Sequence, residues 1–579
     1  MAKKPASKDR GMRKSLTHYG DAGFSLYLRK AFIKAMGYSD DALRRPIVGI
    51  TDTFSAYNPC HRTVPEIVEA VKRGVLLAGG LPMQFPTISL HESFAHPTSM
   101  FLRNLMSMDV EEMIRAQPMD AVVLIGGCDK TVPALLMGAS SARVPAILTV
   151  TGPMLTGSHK GERLGACTDC RRLWGMHRAG AIGADEVDQI TNSLMPTAGT
   201  CGVMGTASTM ALMTEALGMM LPGGAAIPAV LADRLRHAEA TGGRAVAMAD
   251  EGLMPDKIMT AKAFANALRV LLAIGGSTNG LIHITAVAGR LGIAVDLAAF
   301  DRMGARTPVL VDLKPSGKHY MEDLYKAGGL APVLRELRKK KMLNLNCLTV
   351  TGRTLGEDID ALPPPWPQDV VRPAEKPLTR EGGMAVLRGN LAPGTAIIKQ
   401  SAASPKLMKH TGRAVVFDGL EDLARRIDSP DLDVRPDDVL VLKNAGPIGA
   451  PGMPEAGYIP LPKKLAAKGV KDMVRISDAR MSGTAFGTIV LHVSPEAAVG
   501  GPLALVEDGD EIRLDVAKRS LELGVSAAEL KKRRARLKPP RHAGAERGYL
   551  NLYLDHITQA DQGCDFDFLR KRKATAKTP

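Results

Sequence analysis

Three cysteines stand in turns that are marked by proline or glycine. Cys60 follows a proline, Cys128 follows two glycines, and Cys201 precedes a glycine. Cysteines in such loops can direct their thiolates into one shared cavity, and thiolates are the ligands that hold iron–sulfur clusters. The three residues are far apart in the sequence and form no compact ferredoxin-like run, so buried structural thiols are the alternative.

Acidic residues accompany the second of these cysteines. Asp129 directly follows Cys128 and directly precedes Lys130, while Glu92 follows a histidine further upstream. Carboxylate oxygens are hard ligands of the kind that Mg²⁺ prefers. The pattern favours a magnesium site if these carboxylates meet in the fold, and ordinary surface carboxylates if they do not.

The third candidate is Ser482, which lies between the basic Arg480 and Gly483 in the segment 478–484. A serine in such a loop can act as a nucleophile, bind an anion or simply form a turn. The residues alone leave these three alternatives open.

Buried strands are predicted next to these groups. Apolar runs at residues 46–50, 121–125 and 146–150 have the character of buried strands, and residues 64–78 have helical periodicity. Such runs, separated by helical segments, predict a parallel sheet with helices on both faces. Ligands bind beyond the carboxyl ends of the strands in these sheets. Cys128 comes just after the second run, so we expect it at that edge.

The pattern changes after the proline-rich residues 361–377, which predict a linker. Beyond them, short β-type segments alternate with turns and predict a β-rich, barrel-like domain. The fold class is thus α/β, with a parallel sheet in the N-terminal part and a β-rich C-terminal part. We predict a mobile basic arm at 1–24, an α/β domain at 25–362, a linker at 363–380, and a β-barrel-like domain at 381–579 that carries Ser482.

The charge of the chain bears on its partners. Its 579 residues include 75 Lys and Arg against 60 Asp and Glu, which gives a net charge of +15. A positive field favours small anionic substrates. The basic run at 531–538 is a candidate for binding nucleic acid, but no nucleic-acid motif or aromatic platform accompanies it. We therefore expect a solvated helix face there and no nucleic-acid partner.

Cysteine usage and hydropathy bear on the compartment. Seven cysteines in a long chain argue against a secreted disulfide scaffold, and the basic N-terminus leads into no apolar stretch of a signal peptide. Residues 191–214 carry no charge and could span a bilayer, but Pro196 and three glycines favour a buried loop and helix that line a site. We expect a cytoplasmic protein with no membrane partner.

Several segments, in order along the chain, resemble the signatures of the dihydroxy-acid, phosphogluconate and sugar-acid dehydratases. The resemblance spans roughly residues 25–545. It rests on the segments 58–60, 126–134, 152–154 with 160–161, 198–207, 275–279, 478–484 with 492–498, and 507–510. The number and order of these matches make the resemblance highly specific.

The resemblance implies an iron–sulfur cluster held by Cys60, Cys128 and Cys201. It implies a [2Fe–2S] cluster, with [4Fe–4S] as the alternative, in which one iron keeps an open position for a substrate hydroxyl. Sugar-acid relatives favour the smaller cluster.

The resemblance also implies a Mg²⁺ site and a catalytic base. Its ligands would be Glu92, Asp129 and Glu455, together with Lys130, which carbamylation turns into a further oxygen ligand. The base would be the alkoxide of Ser482, with Thr484 as a hydrogen-bond donor beside it. Strong positive charge nearby is needed to make such an alkoxide accessible.

These parts imply a hydro-lyase that converts a 2,3-dihydroxy carboxylic acid into a 2-keto acid. In this chemistry the cluster acts as a Lewis acid for the 3-hydroxyl, Mg²⁺ binds the carboxylate, and the serine removes the C2 proton. The substrate would be a sugar acid or a short dihydroxy acid. Alternatives are the dihydroxy-acid dehydratase of branched-chain amino-acid biosynthesis and a non-catalytic iron- or RNA-binding paralogue. Relatives form dimers or dimers of dimers, so we expect a homodimer or homotetramer.

Three features depart from the family pattern. His61 and Arg62 follow Cys60 where many relatives have Asn, and this basic loop favours a sugar acid as the substrate. The pair Arg480-Met481 stands where a bulky aromatic residue or Gln is frequent. Cys167 and Cys170, which are separated by two residues, form a zinc half-site, a redox pair or incidental thiols.

Overall fold

The computed structural model describes residues 10–538 and 540–571 of the chain. Residues 1–9 of the predicted basic arm lie outside the described residues. The next part of that arm lies against the N-terminal sheet, because the backbone N–H of Gly11 donates to both carboxylate oxygens of Asp120 at 3.1 Å. Gly11 and Met12 are buried there.

The N-terminal part contains a four-stranded parallel sheet in the order β2-β1-β3-β4. Strands β3 and β4 are buried along their whole length, as expected for a sheet covered on both faces. The strands are β1 (Ile47–Asp52), β2 (Leu81–Pro86), β3 (Ala121–Gly126) and β4 (Ala146–Val150), followed by a separate hairpin of β5 (Gly157–His159) and β6 (Glu162–Leu164).

Helices cover this sheet and continue beyond it as a helical region. They are α1 (Ala22–Ala35), α2 (Val64–Leu77), α3 (Arg103–Ala116), α4 (Thr131–Ala142), α5 (Thr168–Arg178), α6 (Ala184–Leu194), α7 (Thr206–Ala216), α8 (Ala232–Glu251), α9 (Pro255–Ile258), α10 (Ala261–Ala273), α11 (Thr278–Arg290), α12 (Leu297–Gly304), α13 (Met321–Lys326), α14 (Ala331–Lys339) and α15 (Leu355–Asp360). Every residue of α7 is buried, which confirms the buried helix expected in the uncharged segment 191–214, but Met195 is 51% exposed and Pro196 is exposed, so the expectation of a buried loop is wrong for the start of that segment.

Helices α2 and α8 cross so closely on the sheet that glycine is required at the contact. A Cβ atom at Gly74 would lie 1.9 Å from the carbonyl oxygen of Glu239, and one at Gly242 would lie 2.2 Å from that of Val71. The missing side chains let the two backbones touch. The pair thereby covers one face of the strands that carry the Cys60 and Cys128 loops.

The C-terminal part contains an eight-stranded sheet in the order β14-β13-β9-β10-β11-β12-β8-β7. Its four central strands are parallel and the outer ones antiparallel. A bridge between Arg388 and Ser520 joins the two ends, so the sheet nearly closes into a barrel. The strands are β7 (Ala385–Leu387), β8 (Thr395–Ile398), β9 (Lys409–Asp418), β10 (Val439–Lys443), β11 (Arg475–Ser477), β12 (Ile489–Ser494), β13 (Glu511–Asp515) and β14 (Ser520–Leu523).

Four helices accompany this second sheet: α16 (Leu420–Arg426), α17 (Lys463–Ala466), α18 (Ala527–Arg534) and α19 (Gly548–His556). The predicted fold class is confirmed, with a parallel α/β part followed by a barrel-like part. No helix within residues 10–538 and 540–571 is both long and apolar enough to cross a membrane.

Contacts outside the candidate site join the two parts, among them the following. Val371 and Thr379, in the segment predicted as a linker, form bridges with Val311 and Val309 of the N-terminal part. After α19 the chain returns to the N-terminal helices, where the buried Arg103 donates to the carbonyl oxygens of Gly563 and Cys564 at 2.9 and 2.6 Å. These contacts join the segment after the N-terminal part and the segment after α19 to the N-terminal part.

Candidate active site

Two of the predicted cluster cysteines meet where the loops after β1 and β3 lie side by side. Ligand atoms of Cys60, His91 and Cys128 lie within 4.8 Å of one another. Gly127 allows this turn, since a Cβ there would lie 1.8 Å from the hydroxyl oxygen of Thr151. The three ligand atoms could hold a metal ion, and His91 is a member that the sequence did not identify.

Cys201 shares the cavity of these two cysteines. The hydrogen bond with Cys128 and burial raise the pKa of the Cys60 thiol well above its usual value, and the charge of Cys201 adds to this effect. The pKa of Cys201 is likewise raised by its hydrogen bond with Cys167 and by burial. Thiols this close cannot ionise together unless a cation compensates their charge. The donor set therefore fits a thiolate-bound metal group, as the resemblance implies.

His61 links the two cysteine loops and is not a basic group. Its Nε2 atom accepts hydrogen bonds from the backbone N–H groups of Gly127 and Cys128 at 2.9 and 3.1 Å, and its Nδ1 atom lies 2.8 Å from the carbonyl oxygen of Thr53. Burial lowers the pKa of His61 to about 4, although the Thr53 carbonyl opposes this. His61 is therefore a neutral, structural imidazole, and the positive charge expected in this loop is carried by Arg62 alone.

The four residues predicted to bind magnesium converge from three separate loops. The ammonium nitrogen of Lys130 lies 2.9 Å from Glu92 and 3.8 Å from Glu455, and it also pairs with Asp129. Thr98 and Ser99 donate hydrogen bonds to the carboxylate of Glu92. These hydrogen bonds hold the carboxylate of Glu92 in place beside Lys130.

Arg480 completes this charged group from the C-terminal part. Its guanidinium is fully buried and lies 2.8 Å from Glu92 and 2.7 Å from Glu455. Arg480 stands where relatives often carry other residues. In this chain it pairs with carboxylates from both halves. Sequence reasoning missed this role, because Glu92 is 388 residues away from it.

The charged residues of this group shift one another's pKa values. Burial lowers the pKa of Lys130, but Asp129, Glu92 and Glu455 outweigh burial and raise it overall. Burial raises the pKa of Glu92, but Arg480 and Lys130 outweigh it and bring it well below the usual range. For Glu455, burial prevails and the pKa is raised. Three carboxylates around one lysine nitrogen form an oxygen-rich set that suits a hard cation once the lysine charge is removed.

Ser482 and Thr484 lie together in the loop that follows β11. Their hydroxyl oxygens are 2.9 Å apart. At the start of the loop, the buried Asp478 accepts hydrogen bonds from the backbone N–H groups of Ala445 and Ala497 at 3.0 and 2.9 Å. These bonds set the direction in which the loop leaves the barrel.

The N-terminal helices hold the same loop from the other side. Asn279, at the start of α11, donates to the carbonyl oxygen of Met481 at 3.1 Å. A Cβ at Gly483 would lie 2.5 Å from Cβ of Ser277, so only glycine fits this contact. The two halves of the chain therefore both define where Ser482 stands.

A buried lysine contacts the serine loop. The side chain of Lys399, at the end of β8, is fully buried and donates to the carbonyl oxygen of Gly483 at 3.1 Å. Burial lowers the pKa of Lys399 to about 7. Among the described residues, no carboxylate is paired with the side chain of Lys399. The sequence did not predict a role for this lysine.

The serine loop touches both groups of ligands. Arg480, two residues before Ser482, contacts the carboxylates, and the carbonyl oxygen of Thr484 accepts a hydrogen bond from Thr168 at 2.9 Å. Thr168 directly follows Cys167, whose sulfur lies 3.4 Å from that of Cys201. A thiolate group, a carboxylate group and a serine hydroxyl are thus placed around one region between the two halves.

Comparison with known proteins gives matches over nearly the whole chain. The chain is 48% identical over 575 residues to an L-arabinonate dehydratase of Rhizobium leguminosarum bv. trifolii, covering 99% of each chain. It is 44% identical to a 6-deoxy-6-sulfo-D-gluconate dehydratase of Pseudomonas putida, covering 93% of each. It is 39% identical to a dihydroxy-acid dehydratase of Caldicellulosiruptor bescii, covering 93% of this chain and 98% of the relative.

Family models agree with these similarities. Residues 45–358 match the N-terminal model of the dihydroxy-acid/6-phosphogluconate dehydratases, and residues 369–564 match the C-terminal model. The chain is therefore an enzyme of the hydro-lyase class and belongs to the dihydroxy-acid/6-phosphogluconate dehydratase family.

Proposed function

We propose that the protein removes water from a sugar acid of the aldonate type and releases a 2-keto acid. The observation that carries this proposal is the set of contacts of the 478–484 loop, in which Arg480 pairs with Glu92 and Glu455 and the Thr484 carbonyl accepts a hydrogen bond from Thr168 beside Cys167. Such a loop can present one substrate to the carboxylates and the thiols at once. The relatives with the higher identities described above are named for sugar acids, which supports the choice of substrate.

The cysteines would hold the iron–sulfur cluster in this proposal. When bound, the cluster supplies a Lewis acid that makes the 3-hydroxyl a better leaving group. Cys60, Cys128 and Cys201 are the three thiols that the family pattern assigns to it, and the ligand atoms of Cys60 and Cys128 lie with that of His91 within 4.8 Å of one another, which fits such a group. His61 keeps the Cys60 and Cys128 loops together through its bonds to backbone N–H groups.

The carboxylates would hold Mg²⁺. When bound, Mg²⁺ supplies positive charge that stabilises the negative charge developing on the substrate carboxylate and 2-hydroxyl. Glu92, Asp129 and Glu455 surround Lys130, and carbamylation of Lys130 would replace its positive charge with a further anionic oxygen ligand. Arg480 would then balance the negative charge of the set.

Ser482 would remove the proton from C2. A serine hydroxyl is a weak base at neutral pH, so its proton must be lost in a field of positive charge. Lys399 bonds to the neighbouring Gly483 carbonyl, and Thr484 lies within hydrogen-bond distance of the Ser482 oxygen. Both residues would hold the loop and favour the deprotonated form of Ser482.

A second candidate is the dihydroxy-acid dehydratase of branched-chain amino-acid biosynthesis. Relatives with that name match this chain almost end to end, at 38 to 40% identity. The same residues would perform the same chemistry on a smaller, branched acid. The two candidates therefore differ in the substrate and not in the reaction.

Replacing Glu92 by glutamine tests the assigned metal site. We expect Glu92→Gln to raise the Mg²⁺ concentration needed for half-maximal activity by at least about tenfold, since losing a charged ligand weakens a hard-cation site by over about 1.4 kcal/mol. The iron and sulfide content should stay at the wild-type value. The measurement is a Mg²⁺ titration of 2-keto acid release after treatment with a chelator.

The matched control is Glu251→Gln, which changes a surface glutamate that pairs with Arg244. It should titrate like the wild type. An unchanged Mg²⁺ requirement in Glu92→Gln would show that Glu92 is not a ligand.

A further inference from the structure

Three side chains from separate parts of the fold hold the main chain around Ser482. Each donates a hydrogen bond to a backbone carbonyl oxygen of the segment 478–484: Asn279 to Met481 at 3.1 Å, Lys399 to Gly483 at 3.1 Å, and Thr168 to Thr484 at 2.9 Å. Asn279 and Thr168 are neutral, so holding a carbonyl of this loop does not require a charged donor. The ammonium of Lys399 therefore adds a charge that the hydrogen bond alone does not need.

The charge of Lys399 is not compensated by a carboxylate. Lys130, Arg480 and Lys399 are all fully buried at the site. Lys130 and Arg480 are paired with Glu92 and Glu455. Lys399 forms no ion pair with any residue that the structure describes. A paired cation is largely cancelled by its partner, whereas an unpaired one acts at full strength on the groups around it.

Burying this ammonium is unfavourable for the stability of the fold. The side chain is 0% exposed, and a cation that leaves water without an opposite charge loses much of its solvation. Burial lowers the pKa of Lys399 to about 7, and it is the sole cause of the shift. Titratable groups that are kept in such unfavourable surroundings are typical of functional sites.

The ammonium is close enough to act on Ser482 without touching it. Its nitrogen lies 3.1 Å from the carbonyl oxygen of Gly483, the residue that directly follows Ser482. Standard bond lengths then place the nitrogen within about 10 Å of the Ser482 hydroxyl oxygen. At that distance and an effective dielectric constant of about 20, a unit charge shifts a pKa by about one unit or more.

We propose that Lys399 is a positioning residue whose positive charge, rather than its hydrogen bond, favours the alkoxide of Ser482. The inference rests on the proposed function, because it concerns the base that this function requires. The alkoxide in turn keeps Lys399 protonated, so the two groups share one proton and titrate as a pair. The charge of Lys399 then sets the pH above which the enzyme turns over.

Other charged groups face Lys399 from the elements packed on it. The segment 478–484 contributes Asp478 and Arg480, and β12, which pairs with β8, contributes His492. Strand β7 and residues 275–279, which pack on β8 and on the serine loop, contain no titratable side chain. Burial lowers the pKa of His492 to about 3, and it raises the pKa of Asp478 to about 7. A wild-type pH profile therefore contains Asp478 as well, and variants of Lys399 separate the two groups.

The pH dependence of kcat/KM for arabinonate tests the proposal in the reconstituted enzyme. Without the cation, Ser482 loses its proton only at higher pH. We therefore expect Lys399→Met to shift the acidic limb of the profile upward by at least about one pH unit, to lower kcat/KM at neutral pH by at least about tenfold, and to approach the wild type in alkaline solution. Lys399→Arg keeps a cation that can donate to Gly483, so its acidic limb should lie at or below that of the wild type.

Lys443→Met is the matched control for the methionine variant. Lys443, at the end of β10, also donates to a backbone carbonyl oxygen, that of Val506 at 3.1 Å, but it does not contact the serine loop. Its replacement should leave the profile unchanged. A Lys399→Met profile that is lowered by the same factor at every pH, with its limb unmoved, would overturn the proposal. Loss of circular dichroism or of iron in Lys399→Met would overturn it as well, because the side chain would then act on structure.

Thermal unfolding provides a test that needs neither substrate nor activity. The pKa of Lys399 is about 7 in the folded chain and about 10.4 in an unfolded one, so the unfolded chain binds more protons between these values. The melting temperature of the wild type relative to Lys399→Met should therefore rise with pH across this window. A constant difference would contradict the buried, unpaired charge. If the difference rises but the wild type releases no 2-keto acid from any sugar acid, the proposed function fails while the buried charge stands.

Discussion

Ser482→Ala is expected to lose at least about 10³-fold in turnover, in the range that removing a general base costs an enzyme. The reason is that the Ser482 hydroxyl, which lies beside that of Thr484, is the group proposed to remove the C2 proton. Alanine removes the oxygen and leaves in place the bond from the Ala445 N–H to Asp478 and the bond from Asn279 to the Met481 carbonyl. Turnover is measured as 2-keto acid release, and the cluster by its visible absorbance.

The cluster absorbance of Ser482→Ala should equal that of the wild type, because no cysteine is altered. Ser429→Ala, which changes a serine in a surface turn, is the control and should be fully active. Full activity of Ser482→Ala would mean that another group removes the C2 proton. Loss of activity together with the cluster would indicate that the serine acts on structure instead.

Cys128→Ser is expected to lose the visible absorption of the cluster and all measurable turnover. Cys128 lies two residues after β3, where it is buried and its ligand atom lies within 4.8 Å of those of Cys60 and His91. A serine hydroxyl is a poor substitute for thiolate as an iron ligand, because soft sulfur ligands select iron–sulfur clusters. The measurement is the visible spectrum with iron and sulfide content after anaerobic reconstitution.

Cys347→Ser is the matched control for this loss. Cys347 is also largely buried, but it lies beside Asn266 in the helical region and is not one of the thiols assigned to the cluster. Its replacement should leave the spectrum unchanged. If Cys128→Ser keeps the wild-type spectrum, Cys128 is not a ligand and the thiol site needs another assignment.

The sequence predicted the main strands because their apolar runs are long and buried. Strands β3 and β4 lie where the predicted runs at 121–125 and 146–150 do. Strand β2 was missed because it contains Pro82 and Pro86. A proline is tolerated there, since β2 is the edge of its sheet and an edge strand leaves one side of its backbone unpaired.

The candidate site was predicted less completely than the fold. The cysteines in turns and the serine loop lie in short segments that resemble the family, so these residues could be identified from the sequence. Contacts between distant residues carry no such signal: Arg480 meets Glu92 only after the two halves fold together, and Cys167 meets Cys201 only after the N-terminal part has folded. The neutral state of His61 likewise depends on its burial among backbone groups, which the residue type does not reveal.

The most direct test of the central claim is 2-keto acid release by the anaerobically reconstituted enzyme with Mg²⁺. Arabinonate, xylonate, gluconate, glycerate and 2,3-dihydroxyisovalerate are compared at equal concentrations. We predict that an aldonate has a kcat/KM at least about tenfold above that of 2,3-dihydroxyisovalerate, a difference in transition-state binding of about 1.4 kcal/mol. Faster turnover of the branched acid would favour the second candidate, and no 2-keto acid from any of the five would contradict the proposed function itself.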